Sequence, residues 1–152
     1  MKTLQQWFDD YAVSHQNETN IAIHYICVPA IFFSIIGIFM SIPSGYLNEL
    51  TTIQNPFLVN WATIPLLFFL LSYLRLSFSM FFKMLIFSIL CIVGNYYLDD
   101  YLPLFYTSIT IFVIAWVGQF YGHKVEGAKP SFLKDLQFLL IGPAWVVKKM
   151  FR

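Results

Sequence analysis

Charge is what this chain has least of. Asp, Glu, Lys and Arg together make up 11% of its 152 residues, while 59% are hydrophobic. A soluble domain carries about a quarter charged residues, so the composition excludes one and indicates an integral membrane protein. No basic block, zinc-finger spacing or RNA-type aromatic pattern occurs, and the net charge is +1, which excludes nucleic acid as a partner. The two cysteines, Cys27 and Cys91, lie inside apolar runs without secreted-type spacing, which argues against a disulfide framework and leaves both as small packing residues. No glycine fingerprint for a dinucleotide is present. Nor does an apolar signal core follow Met1, where Asp9 and Asp10 stand instead, so the first spanning helix is expected to do the targeting.

What is present is long apolar runs. They predict an all-α membrane protein, a four-transmembrane-helix bundle with N- and C-terminal interfacial helices. The whole chain, 1–152, reads as one integral-membrane domain with spans at about 21–41, 57–74, 80–98 and 104–121, each of bilayer-crossing length. Leu4, Trp7, Phe8, Tyr11 and His15 recur at helical spacing among polar residues, which predicts an amphipathic helix on the membrane over about 2–15. Thr19 or Asn20 is placed to cap the next helix. Pro29 removes the hydrogen bond to the Tyr25 carbonyl and is expected to kink the first span beside His24. Pro65 is expected to kink the second. Residues 42–56 hold turn formers and no basic residue, as an external loop would. The C-terminal segment, about 132–150, is broken by Gly142-Pro143 into halves too short to cross, and reads as an interfacial or re-entrant pair with Lys148, Lys149 and Arg152 at lipid headgroups.

Alternating four spans places all nine basic residues, from Lys2 to Arg152, on one side. By the positive-inside rule both termini are cytoplasmic, at the inner membrane of a bacterium or the endoplasmic reticulum of a eukaryote.

The chain has three histidines, His15, His24 and His123, and this topology puts all three at the same cytoplasmic membrane boundary. Three neutral imidazoles with open positions suit a catalytic zinc or non-haem iron site. Trp116, Gln119, His123 and Glu126 share a helix face, as do Asn20, His24 and Cys27. Glu126, Glu18 and Asp10 are available as a fourth ligand or to fix imidazole tautomers, and Asn20 and Gln119 as orienting amides. Gly118 and Gly122 form a small-xxx-small ridge that lets a neighbouring backbone approach the Gln119–His123 face.

Two motifs, Tyr11-x3-His15-x4-Asn20-x3-His24-x4-Pro29 and Gln119-x2-Gly122-His123-x2-Glu126-Gly-x2-Pro130, resemble the membrane 2-hydroxy fatty acid dioxygenases named for metabolism of phytosphingosine to odd-numbered fatty acids, formerly a domain of unknown function. The resemblance spans nearly the whole chain. It implies an iron(II)-dependent, membrane-embedded enzyme that shortens long-chain 2-hydroxy fatty acids by one carbon with O2, and His15, His24 and His123 as the histidines required for activity. On that reading the acyl tail lies among Phe-rich helices, and Lys124 or Lys129 steers the anionic headgroup from the cytoplasmic side. The alternatives are a non-enzymatic membrane scaffold or lipid-binding protein whose histidines respond to pH, and a haem-binding helix bundle.

Reporter fusions at Gly45 and Lys149 are expected to report opposite sides of the membrane. The same side at both positions would remove the four-span count and with it the common depth of the histidines.

Overall fold

The computed structural model describes residues 2–127 and 141–149. Six helices follow in order: α1 (Leu4–Val13), α2 (Glu18–Met40), α3 (Gly45–Leu50), α4 (Thr63–Leu76), α5 (Phe78–Asp99) and α6 (Leu104–Glu126). Residues 141–149 form a further helical stretch, α7, and no strand occurs among the described residues. The helices α2, α5 and α6, of 22 or 23 residues, are long and apolar enough to cross a membrane, and α4 is a shorter apolar helix of 14 residues. The chain divides into two compact units, Met1–Phe32 with Val113–Arg152, and Phe33–Phe112.

In the first unit α1 starts at a capping box. Thr3 Oγ1 accepts from the Gln6 amide, and Gln6 Oε1 accepts from the Thr3 amide at 2.8 Å, satisfying two donors that the helix end leaves orphaned. Its buried residues are Phe8 and Tyr11, and His15 continues their line just beyond the helix end. The start of α2 differs from expectation. Asn17 Oδ1 accepts from the amides of Thr19 and Asn20, so Asn17 closes the N-terminus and the helix begins at Glu18, ahead of the caps expected at Thr19 or Asn20. The helix then continues through Pro29 to Met40.

Of the C-terminal segment expected over 132–150, residues 132–140 lie outside the described residues. Residues 141–147 are all buried, whereas an interfacial helix would expose one face. The seven residues include no charged side chain, so no face resists burial. Lys148 Nζ donates to Gln5 Oε1 at 3.0 Å and lies 4.6 Å from the Phe8 ring, which fastens α7 to α1.

In the second unit α4 packs against α5. The buried residues of α4, Leu66, Phe69 and Tyr73, and of α5, Met80, Met84, Ser88, Cys91 and Asn95, recur at three- and four-residue intervals, one stripe per helix. A single residue, Ser77, separates the two helices: its backbone is extended and its hydroxyl accepts from the Met80 amide. The expected span at 57–74 begins as helix only at Thr63. Before it, Asn55 Oδ1 accepts from the Phe57 amide, Asn60 Nδ2 donates to the Pro56 carbonyl, and Thr63 Oγ1 donates to the Leu58 carbonyl. These side chains compete with the helical ladder and hold residues 55–62 in turns. Pro65 consequently stands in the first turn of α4, where its missing N–H leaves no bond unmade, and it is not the mid-span kink expected. The loop at 42–56 also contains a short helix, α3.

The tightest approach in this unit is at Gly37. A Cβ there would overlap Ser108 Oγ and Asn95 Oδ1, and Asn95 is fixed by donating from Nδ2 to the Phe33 and Cys91 carbonyls at 3.0 and 2.9 Å. Gly37→Ala is expected to lower stability by about 1–3 kcal/mol, the cost of overpacking, read as a lower midpoint of thermal unfolding in detergent. Gly45→Ala, with nothing within 4 Å of the new methyl, is expected to leave the midpoint unchanged.

Candidate metal centre

The site is built at the ends of helices. His15 follows the last turn of α1, where backbone carbonyls have no partner within the helix. Its Nδ1 meets the Tyr11 carbonyl at 2.7 Å, and since a carbonyl only accepts, Nδ1 carries the proton. His24, in the second turn of α2, repeats the arrangement with the Asn20 carbonyl at 2.8 Å. Each contact fixes a tautomer and leaves Nε2 as a bare lone pair. His123 enters from the last turn of α6. The three rings are 4%, 1% and 8% exposed for His15, His24 and His123, so water does not solvate them.

These side chains converge. The ring centroids of His15 and His24 are 4.3 Å apart, those of His24 and His123 5.2 Å, and those of His15 and His123 5.6 Å, with the planes steeply inclined. One ligand nitrogen from each lies within 4.8 Å of the others. His15 Nε2 and His123 Nδ1 are buried without a hydrogen-bond partner. Buried acceptors left unpaired are expensive, and a cation that takes up all three lone pairs satisfies them together. Burial also holds the His15 imidazole down at about 4, against the pull of the Tyr11 carbonyl; His123 and Lys149 act in the same direction as burial. His15 is therefore neutral near pH 7, the state a metal requires. The donor set fits a divalent transition metal with open positions, iron or zinc among them.

Beside the rings lies a cavity of about 40 Å³. Its polar wall is the three histidines and Gln119, whose Nε2 is buried without a partner. Its apolar wall includes Val28, directly before Pro29 in α2, and Ile31, two residues after it. At about 10–15 Å³ for each water-sized occupant, the space holds about three.

The other sequence-derived candidates separate into near and far. Asn20 is fully buried, and its Nδ2 donates to Glu126 Oε2 at 2.9 Å. Both Glu126 oxygens also accept backbone amides, from Gln16 at 2.8 Å and Asn17 at 2.9 Å. Among the described residues the group that could hold a metal ion consists of the three histidines. Asp10 instead pairs with Lys2 at 2.6 Å, and Glu18 and Lys124 are exposed. Lys129 lies outside the described residues.

Tyr11, Gly142 and Trp145 also stand at the rings, where sequence reasoning placed Tyr11 only in the amphipathic stripe and the first motif, Gly142 only at a break in the C-terminal segment, and Trp145 nowhere. Tyr11 stacks on His15 at 4.0 Å with 9° between the planes, and Trp145 of α7 lies 5.1 Å from Tyr11 and 5.8 Å from His15. An aromatic residue four positions before a histidine on one helix face was a signal for the first. Nothing local signalled the second, because α7 reaches the site only through tertiary packing. Gly142 lines the cavity, and a Cβ there would stand 3.2 Å from the Tyr11 hydroxyl.

The glycine ridge on α6 does what its spacing implied. A Cβ at Gly118 would stand 2.6 Å from Cys27 Sγ, and one at Gly122 would overlap Asn20 Oδ1. Cys27 is thus a packing residue against α6. Gly118→Ala is expected to destabilise the purified protein by about 1–3 kcal/mol, and Cys27→Ala combined with it to recover most of that loss by removing the opposing sulfur. An unrelieved double variant in thermal unfolding would show that the contact with Cys27 does not limit the approach.

No curated protein and no solved structure matches the chain. The model of the family described as 2-hydroxy-palmitic acid dioxygenase Mpo1-like matches residues 1–152, its full length. With two histidine-bearing motifs brought into one buried cluster and three helices fit to cross a membrane, the chain belongs to the Mpo1-like 2-hydroxy-palmitic acid dioxygenase family.

Proposed function

We propose that the protein is an iron(II)-dependent dioxygenase that shortens long-chain 2-hydroxy fatty acids by one carbon, acting at the cytoplasmic face of a membrane. The observation that carries this reading is the convergence of three buried imidazoles with one ligand nitrogen of each within 4.8 Å of the others, two of those rings, His15 and His123, holding a buried nitrogen without a hydrogen-bond partner, in a chain of that family. His15, His24 and His123 would hold the metal. Bound iron(II) supplies the redox chemistry by which O2 is reduced as the carboxyl carbon is removed. The balance closes without a nicotinamide or flavin: one 2-hydroxy acid and one O2 give the acid one carbon shorter, carbon dioxide and water.

The chain's own residues account for recognition. Gln119 Nε2, the buried donor in the cavity wall, is suited to a carboxylate or 2-hydroxyl oxygen, and Val28 and Ile31 give the first carbons of the tail an apolar surface. The cavity's size suits the small polar end of such an acid and excludes bulk water, which strengthens each polar contact made there. Asn20, through its carbonyl, orients His24. Lys124 and Lys129 would draw the carboxylate to the cytoplasmic entrance. In this reading α4 and the turns before it complete a fourth crossing, the chain is a single membrane domain, and the distribution of basic residues sets both termini in the cytoplasm.

The test is to purify each of His15→Ala, His24→Ala and His123→Ala, quantify iron after anaerobic loading, and follow 2-hydroxypalmitate and O2 together. The native chain is expected to consume the two in equal amounts, and each variant to lose iron and turnover together. Full iron and full turnover in one variant would remove that histidine from the site, and in two would remove the metal reading.

A further inference from the structure

We infer that Glu126 is a positioning residue, a latch that sets the three histidines in register without touching the metal. The inference rests on the reading that His15, His24 and His123 hold a metal. Its ground is where the carboxylate spends its hydrogen bonds. Oε1 accepts from the amide of Gln16, the residue after His15, and Oε2 from the amide of Asn17, the residue that closes the start of α2. Oε2 also accepts from Asn20 Nδ2, and the Asn20 carbonyl is the group that holds His24 Nδ1. Glu126 itself lies one turn beyond His123 on α6. One side chain therefore ties together the three segments that carry the ligands, across more than a hundred residues of sequence.

The local structure suits this role. Gly127 has φ +72°, the left-handed conformation that ends a helix, so α6 stops directly after Glu126. The amides it accepts stand at the N-terminal end of α2, where a helix leaves donors unpartnered and its dipole favours an anion. With both oxygens engaged there, the carboxylate serves as a clamp on the connector between α1 and α2. Residues that orient metal ligands in this indirect way change affinity by about 10–100-fold when altered.

The test uses the full chain in detergent with Co(II) as the probe, its affinity measured by chelator competition and its ligand field by visible absorption, alongside hydrogen exchange of the backbone amides. In the native chain the Gln16 and Asn17 amides are expected to be protected. Glu126→Gln keeps the shape but only one acceptor oxygen. It is expected to expose those amides, weaken Co(II) by about 10–100-fold, and leave the absorption spectrum of the saturated site unchanged, because the three ligands remain. Unchanged exchange in α5 shows that the variant is folded. Asn20→Ala, which removes one of the three bonds, is expected to weaken Co(II) less, and decides the matter if Glu126→Gln does not fold. Freed amides with native Co(II) affinity, native affinity in Asn20→Ala, or fast exchange at both amides in the native chain would each overturn the latch while leaving the metal reading intact. A changed spectrum at saturation would make Glu126 a ligand. A native chain that binds no Co(II) would overturn the metal reading and the latch together.

Discussion

Three imidazoles stripped of water and turned toward one another is the constraint on which the first unit depends. One ligand nitrogen of each ring lies within 4.8 Å of the others, and lone pairs that face one another repel unless something positive lies between them. The arrangement is unfavourable as packing alone. It is held because the protonated Nδ1 atoms of His15 and His24 each reach a carbonyl of their own backbone, so ring rotation away from the cluster would break a buried hydrogen bond.

Holding the rings in place falls to ordinary helix chemistry. Helix termini supply the orphan carbonyls and amides that position His15 and engage Glu126, and small residues let α6 come close enough for His123 to meet the other two. At Gly118 the facing atom is Cys27 Sγ and at Gly122 it is Asn20 Oδ1, so the same ridge that seats the helix also brings up the amide that bonds Glu126. Tyr11 covers one face of His15, and Trp145 packs against both. Packing and site are in this sense one structure, and volume added to the ridge meets Cys27 or Asn20 first.

The second unit follows a different logic. Its helices bury one narrow stripe and turn the rest outward as apolar surface: Leu67, Phe68, Ile86, Ile89 and Leu90 are all exposed, the pattern of helices solvated by lipid. The buried Asn95 amide there donates to the backbone carbonyls of Phe33 and Cys91. Such bonds are retained in a membrane because hydrocarbon offers no alternative partner.

Sequence by itself determined the helical class, the three long apolar helices and the three candidate ligands, because length of apolar run, scarcity of charge and the positions of three histidines are properties of the linear chain. It also located the close approach at Gly118 and Gly122, since small residues at helical spacing report a face directly. The start of α4 was not legible: an apolar count over 57–74 does not register that Asn55, Asn60 and Thr63 bond to nearby backbone and unwind the first third. Nor was the burial of α7, or the part Tyr11 and Trp145 play at the rings. Glu126 was visible as a carboxylate near His123, but its partners lie 106 to 110 residues away. Periodicity states which face of a helix avoids water and is silent on which distant segment will cover it. That choice belongs to tertiary packing, where the close fit of α1, α2, α6 and α7 converts three isolated histidines into one site.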